Sequence, residues 1–213
     1  MSAPEVVLAT APGTRLDRDD RPLVVLLHGR GSDEQQILPL AAALPGGLDV
    51  VAVRAPIAEG GGYAWFANRG IGRPVPASLR LHLDWFREWL DALPRRRVVL
   101  VGFSGGAAFA GGLVLDDPTR FAGVAVLHGT LPFDAGLPVE PGALDGVEVL
   151  VSRGARDAVI PGDLLDRTWH HLADGVSGAR VTSHLDPGGH ELTPATVAVL
   201  AAWLARIATG GER

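Results

Sequence analysis

The chain has 213 residues, of which 47% are hydrophobic and 20% charged, and its formal net charge at pH 7 is -5. This length and apolar content are enough to bury a substantial core, and we expect a single domain over residues 1–213. We expect no nucleic-acid partner, because the one basic run, Arg95, Arg96 and Arg97, precedes a predicted strand and is typical of a solvated edge.

The absence of cysteine excludes disulfides, thiolate metal sites and a cysteine nucleophile. The first ten residues have no basic region and only a brief apolar run, so we do not expect a signal peptide. No uninterrupted apolar stretch reaches the length of a membrane span. The predicted protein is therefore cytoplasmic and makes no stable membrane insertion.

Short apolar runs alternate with helical patterns along the whole chain. The runs predict strands at residues 5–9, 23–27, 48–53, 98–101, 121–127, 147–152 and 179–185. Helices are predicted at residues 32–43, 78–93, 105–115, 163–172 and 193–207. This alternation predicts an α/β fold, with a mainly parallel central sheet and helices on both faces.

Two local patterns carry further expectations. Ser32 and Gln35 form a capping-box pattern, which predicts the start of the first helix. Residues 54–77 contain five Gly and three Pro, and we expect a long irregular loop with an exposed aromatic cluster that includes Trp65 and Phe66. We interpret these two side chains as part of the substrate site; burial in a small core under the loop is the alternative.

Residues 102–106 are Gly-Phe-Ser-Gly-Gly, and they connect a predicted strand to a predicted helix. The spacing of Gly102, Ser104 and Gly106 is that of a nucleophile elbow, in which a tight strand-to-helix turn lifts the serine hydroxyl above the edge of the sheet. The alternative is a glycine-rich turn with a helix-starting serine. The elbow is informative only if the rest of the chain supplies a base and an acid.

Such a serine needs a base to take its proton and a carboxylate to orient that base, in the chain order serine, acid, histidine. Asp157 follows the predicted strand 147–152, and His190 lies in a flexible loop before the last helix, where Gly188 and Gly189 would let the ring swing toward Ser104 without steric cost. Competing acids are Asp163, which suits a helix N-terminus, and Asp186; the competing base is His184, inside a predicted strand.

Acyl transfer by such a serine also needs N–H donors for the developing oxyanion. The backbone of Gly105, directly after the serine, is one candidate, and that of Arg30, in the loop after the strand 23–27, is the other. A plain strand-to-helix turn is the alternative for the Arg30 loop. His170 and His171 lie on a predicted helix without a metal-binding partner, so we expect no metal site.

Together these segments resemble the phospholipase/carboxylesterase family of α/β-hydrolases, which includes the acyl-protein thioesterases. The resemblance rests on residues 27–34 (LHGRGSDE), 64–66 (AWF), 102–106 (GFSGG), 154–161 (GARDAVIP) and 189–190 (GH). It implies an α/β-hydrolase fold with no large cap domain, Ser104 as nucleophile, Asp157 as acid, His190 as base, and Arg30 and Gly105 as oxyanion donors. The family usually has glutamine where this chain has Gly105.

The expected activity is hydrolysis of short- to medium-chain carboxylic esters through an acyl-serine intermediate, with no cofactor and with a small-molecule ester as substrate. Thioesterase or lysophospholipase activity with the same triad is an alternative, and a non-catalytic binding protein on the same fold is another. A dienelactone-type hydrolase would be expected to use a cysteine, which this chain lacks. Homodimer formation stays open.

Overall fold

The computed structural model describes residues 4–94 and 96–208. Within these residues the strands are β1 (Leu8–Thr10), β2 (Leu23–Leu27), β3 (Asp49–Val53), β4 (Ile57–Glu59), β5 (Gly62–Ala64), β6 (Val98–Phe103), β7 (Gly123–Leu127), β8 (Glu148–Gly154) and β9 (Arg180–Asp186). The α-helices are α1 (Glu34–Ile37), α2 (Pro76–Asp91), α3 (Gly105–Asp116), α4 (Gly162–Leu172) and α5 (Pro194–Ala208). Short 3₁₀ helices cover Leu38–Ala43 and Pro118–Arg120.

The main sheet has the strand order β1, β3, β2, β6, β7, β8, β9. All neighbouring strands are parallel except β1, which pairs antiparallel with β3 at one edge. The mainly parallel sheet is therefore confirmed, and the edge strand expected at residues 5–9 is found slightly later, at Leu8–Thr10. Continuous apolar strands such as β2 are buried along their whole length because helices cover both faces of a parallel sheet.

Alternate residues of β2 belong to two separate core clusters, one on each face of the sheet. Leu23, Val25 and Leu27 pack in the cluster that contains the apolar stripe of α2 and most of α3. Val24 and Leu26 pack with Leu200, Trp203 and Leu204 of α5. This division confirms helices on both faces. None of the helices in the described part of the chain has both the length and the apolar character needed to cross a membrane.

The first helix begins one residue later than the capping-box pattern predicted. Asp33 is the N-cap, and its carboxylate accepts a hydrogen bond from the Gln36 backbone N–H at 2.9 Å. Ser32 cannot serve as the cap because its backbone pairs with Tyr63, whose N–H donates to the Ser32 carbonyl at 2.9 Å. The α-helix then narrows to a 3₁₀ helix near Pro39, which lacks the N–H that an α-helix requires.

The expectation of an entirely irregular segment at residues 54–77 was wrong, because β4 and β5 form an antiparallel hairpin there. Gly60 and Gly61 connect the two strands, and both have positive φ, 58° and 86°. Two consecutive residues with positive φ match the twist of a tight hairpin, and a Gly-Gly pair adopts them without a steric penalty. This hairpin lies against the loop that follows β2, and it therefore helps to shape the site.

The basic run is not a solvated edge throughout. Arg96 is buried and donates to the carboxylate of the buried Asp49 at 2.8 Å, while Arg97 is exposed. Asp49 also accepts a hydrogen bond from the Arg15 backbone at 3.0 Å, so the pair fixes the N-terminal segment to the amino end of the sheet. Arg95 lies outside the described residues.

Candidate active site

Ser104 stands at the carboxyl end of β6, in the turn that leads into α3, with φ 54° and ψ -116°. Positive φ is rare for a residue with a side chain and costs free energy. The turn is held because the Ser104 N–H donates to the Leu127 carbonyl at 3.0 Å. A Cβ at Gly102 would overlap the Gly106 carbonyl, and one at Gly106 would overlap the Leu27 carbonyl. Both glycines are therefore required by close backbone approach.

The loops after β8 and β9 bring Asp157 and His190 to this turn. His190 Nδ1 lies 2.8 Å from Asp157 Oδ2, and His190 Nε2 lies 2.9 Å from Ser104 Oγ. Because an ionised carboxylate can only accept hydrogen bonds, the Nδ1–H of His190 donates to Asp157. The unprotonated Nε2 can then accept a hydrogen bond from the Ser104 hydroxyl. The structure thus brings the three predicted residues into one hydrogen-bonded chain.

The Asp157 side chain is buried, yet its environment favours the carboxylate form. Burial by itself would raise its pKa, but the hydrogen bond from His190 and those from the backbone of Ile160 and Val159 lower the pKa below the ordinary value. The two backbone donors reach Oδ1 at 2.9 and 3.0 Å and leave Oδ2 for the imidazole. Asp157 is thus ionised and oriented at neutral pH.

The competing acids and bases lie elsewhere. Asp163 is in the first turn of α4, as its sequence context predicted. His184 is in β9, with Nε2 3.6 Å from Asp186 Oδ2. On α4, His170 is exposed and pairs with Asp174, and His171 is buried. These side chains do not reach Ser104.

Asp186 holds the loop that carries His190. Its buried carboxylate accepts hydrogen bonds from the Gly188 N–H at 2.6 Å and from the hydroxyls of Thr193 and Thr196. The hydrogen bond from Thr193 is the main reason that the pKa of Asp186 falls to about 2, and the Gly188 and Thr196 donors act in the same direction. These hydrogen bonds hold the loop in which the His190 ring lies toward Ser104, as the glycines before it allow.

His128 is a second support for this loop, and sequence reasoning assigned it no role. It directly follows β7, has φ 47° and is fully buried, and its Nδ1–H donates to the Gly189 carbonyl at 3.1 Å. Burial lowers its pKa below the ordinary value of 6.5, so the ring stays neutral. Its ring centroid lies 6.4 Å from that of His190. The available signal was a histidine directly after a strand, at the edge where ligands bind.

Two backbone N–H groups lie beside the serine. Gly105 is the first residue of α3, so no helical carbonyl reaches its N–H. The Arg30 N–H has no acceptor among the described residues, and an added Cβ on Gly105 would stand 3.2 Å from the Arg30 nitrogen. The two predicted oxyanion donors are therefore neighbours, and both are available to a ligand.

Trp65 and Phe66 are buried, and the exposed aromatic cluster expected from the sequence is not found. Trp65 stacks on Phe109 of α3 with ring centroids 4.7 Å apart, and its indole N–H donates to the His28 carbonyl at 2.8 Å. Both side chains also line the cavity over Ser104. These residues are therefore part of the core and also line the cavity, and their role in binding substrate stays a prediction.

The cavity has a volume of about 510 Å³, and Ser104 and His190 are among the residues that line it. Most of its surface is apolar, and the apolar residues that line it include Trp65, Phe66, Ala108, Leu131, Pro132 and Ile160. Ile71 and Val159 line it while remaining 42% and 52% exposed, and they mark its opening to solvent. The described residues contain no cluster of three His, Asp or Glu side chains suited to a metal ion. The cavity is therefore largely apolar, and its lining includes the hydrogen-bonded Ser104 and His190 together with Arg30 and Gly105.

Comparisons with known proteins agree with this architecture. The sequence profile of the phospholipase/carboxylesterase family matches residues 15–207. The protein named "Putative hydrolase MhqD" from Bacillus subtilis (strain 168) is 25% identical over 177 residues, which are 80% of this chain and 86% of that protein.

Two solved structures share the fold. A carboxylesterase from Mesorhizobium loti superposes with a TM-score of 0.76 at 26% identity, over 89% of this chain and 90% of its own. The Bacillus cereus carboxylesterase superposes with a TM-score of 0.79 over 95% of this chain and 94% of its own, and at 24% identity it supports the fold alone. The chain belongs to the phospholipase/carboxylesterase family of α/β-hydrolases and is a hydrolase.

Proposed function

We propose that the protein is a serine carboxylesterase that hydrolyses short- to medium-chain carboxylic esters through an acyl-Ser104 intermediate. The observation that carries this proposal is the position of His190, which lies 2.9 Å from Ser104 Oγ and 2.8 Å from Asp157 Oδ2. An imidazole between a hydroxyl and a buried carboxylate is the arrangement that activates a serine.

In the first half of the reaction, Ser104 Oγ attacks the ester carbonyl carbon while its proton moves to His190 Nε2. The tetrahedral intermediate then breaks its bond to the alcohol oxygen, and His190 returns the proton to the leaving alcohol. In the second half, a water molecule gives a proton to His190 and attacks the acyl carbon. The bond to Oγ breaks, Ser104 recovers the proton, and the carboxylic acid leaves.

Two features support the transition states of both halves. Asp157, whose pKa is lowered, stays ionised and stabilises the imidazolium that forms on His190. The N–H groups of Arg30 and Gly105 donate to the oxyanion, and the loss of one such donor costs about 3 to 4 kcal/mol in a well-studied protease. No step requires a metal ion or an organic cofactor.

The apolar cavity supports an acyl chain as the group bound next to Ser104. Its volume of about 510 Å³ lies within the usual range for small-molecule sites, roughly 300 to 1,000 Å³. Burying methylene groups against Trp65 and Leu131 contributes about 0.8 kcal/mol each, so affinity should rise with chain length until the cavity is full. Thioesters and lysophospholipids are variants of the same acyl-transfer chemistry.

The test is hydrolysis of p-nitrophenyl esters from acetate to palmitate by the wild type and by Ser104→Ala. We expect kcat to fall by about 10⁴ to 10⁶ in the variant and activity to be highest at short or medium chain length. Ser183→Ala is the matched control, because Ser183 is an exposed serine in β9 and should leave activity unchanged. Equal rates in wild type and Ser104→Ala, with no labelling by a serine-directed phosphonate, would favour the non-catalytic alternative.

A further inference from the structure

Arg30 has two separate tasks in this structure. Its backbone N–H is a proposed oxyanion donor, while its side chain turns away and binds the hairpin formed by β4 and β5. The Arg30 Nε donates to Glu59 Oε1 at 2.6 Å, and its Nη2 donates to Glu59 Oε2. Its Nη1 donates to the Phe66 carbonyl at 3.3 Å. A guanidinium held at all three nitrogens has little freedom to rotate.

We propose that Glu59 is a positioning residue for ester hydrolysis, because it holds Arg30 so that the Arg30 N–H points at the oxyanion. Glu59 is the last residue of β4, and it lies 29 positions from Arg30 in the chain. It does not line the cavity and does not touch the reacting atoms, so it acts only through Arg30. The inference rests on the proposed function.

The rest of the hairpin fixes the residues after Arg30 but not Arg30 itself. The Gly31 N–H donates to the Tyr63 carbonyl at 2.9 Å, and the Tyr63 N–H donates to the Ser32 carbonyl at 2.9 Å. The two backbones are so close that a Cβ at Gly62 would overlap the Gly31 carbonyl. The Arg30 N–H, in contrast, has no protein acceptor in the described part of the chain. Its direction must therefore be set by its neighbours and by the Arg30 side chain.

Arg30 also lies next to Gly105, the residue directly after Ser104, which has no side chain that could contact it. An added Cβ on Gly105 would stand 3.4 Å from Arg30 Cβ, which is where a larger residue at position 105 would make contact. With glycine there, the ion pair with Glu59 is the polar side-chain contact that holds the Arg30 side chain, together with the Phe66 carbonyl.

The ion pair is exposed enough that its loss should leave stability nearly unchanged. The Arg30 and Glu59 side chains are 36% and 43% exposed, and pairs at such positions contribute little to the free energy of unfolding. An oxyanion donor is far more sensitive, because its contribution depends on a hydrogen-bond geometry that exists only in the transition state. The pair should therefore affect kcat much more than the melting temperature.

The experiment measures kcat, KM and melting temperature for Glu59→Gln on the ester that the wild type hydrolyses best. We expect kcat to fall about 5- to 20-fold, with KM and the melting temperature close to those of the wild type. Glu148→Gln is the matched control, since Glu148 also accepts from an arginine Nε at 2.6 Å but lies at the opposite end of the sheet. Its kcat should equal that of the wild type.

A double-mutant cycle isolates the contact. Arg30→Gln keeps the backbone N–H but loses the guanidinium, so we expect Glu59→Gln to have no further effect on kcat when it is added to Arg30→Gln. An unchanged kcat in Glu59→Gln would overturn the proposal, as would a rise in KM alone or independent, multiplying effects of the two substitutions. If Ser104→Ala keeps wild-type activity, the proposed function itself fails; if only the Glu59 variants behave like the wild type, this inference alone fails.

Discussion

The two loops that flank Ser104 are held by opposite means. The base loop, residues 186–191, is held by the buried groups of Asp186 and His128. The oxyanion loop, residues 28–32, is held by backbone pairing with a hairpin and by the half-exposed ion pair between Arg30 and Glu59. Buried supports contribute to stability and geometry together, whereas an exposed support affects geometry alone. Substitutions that remove a support of the base loop should therefore lower both activity and stability, whereas loss of the ion pair in the oxyanion loop should lower activity alone.

Of the substitutions around Ser104, Asp157→Asn should lower kcat the most. An asparagine fits the same space, but it no longer stabilises an imidazolium and it favours the wrong tautomer of His190. We expect kcat to fall by about 10⁴, against about 10-fold for the proposed Glu59 contact. Steady-state hydrolysis between pH 6 and 9 measures this loss. A variant within tenfold of the wild type across that range would contradict the role proposed for Asp157.

His128→Phe tests whether the buried support changes activity and stability together. The ring keeps its bulk but leaves the Gly189 carbonyl without its donor, which should cost about 1 to 3 kcal/mol in the free energy of unfolding. We expect kcat to fall about 10-fold as the His190 loop shifts, since positioning errors are costly.

The control for this substitution is His128→Asn, because asparagine tolerates the φ of 47° and keeps an N–H donor. It should lose less activity and less stability than His128→Phe. Urea unfolding and ester hydrolysis measured on both variants decide the matter. Equal stability in His128→Phe and the wild type would show that this hydrogen bond does not hold the base loop.

Asp186→Asn should lower stability in a way that depends on pH, and it should lower kcat less than His128→Phe does, because the asparagine oxygen can still accept the hydrogen bond from the Gly188 N–H. The carboxylate has a pKa of about 2 in the folded protein, below the ordinary value of 3.8. A depressed pKa contributes stability above the ordinary value, and this contribution is lost as pH falls from about 4 to 2.

Thermal unfolding at pH 7, 4, 3 and 2.5 measures this effect. The melting temperature of Asp186→Asn should lie several degrees below that of the wild type at pH 7, and the gap should close toward pH 2.5. A gap that is constant across this range would mean that the charge of Asp186 does not stabilise the loop.

The positions of most strands and helices were readable from the sequence, because continuous apolar runs and helical stripes of apolar residues indicate which residues are buried. The same logic put Ser104, Asp157 and His190 in loops at one edge of the sheet, since parallel strands end there together. The structure brings these three side chains within hydrogen-bond distance. The motif after β6 and the chain order serine, acid, histidine are therefore what allowed these three residues to be chosen from sequence.

The position of His128 directly after a strand was a usable signal, but the contacts that support the two loops were beyond such reasoning. Glu59 reaches Arg30 across 29 positions, and His128 reaches Gly189 across 61, and periodicity carries no information on contacts between loops. The hairpin at residues 57–64 was missed for a different reason: its strands have three residues each, too few for an alternating pattern. The Gly60-Gly61 pair was the usable signal, because consecutive glycines favour a tight hairpin turn.

The contact between Gly62 and Gly31 has a consequence for directed evolution. Every side chain larger than hydrogen at position 62 would force the hairpin away from the loop that carries Arg30. A library randomised at position 62 and selected for ester hydrolysis should therefore return glycine alone. Gly60 and Gly61 have open space around them and need only positive φ, so a library there should also return asparagine and aspartate. Three adjacent glycine codons thus tolerate mutation very unequally.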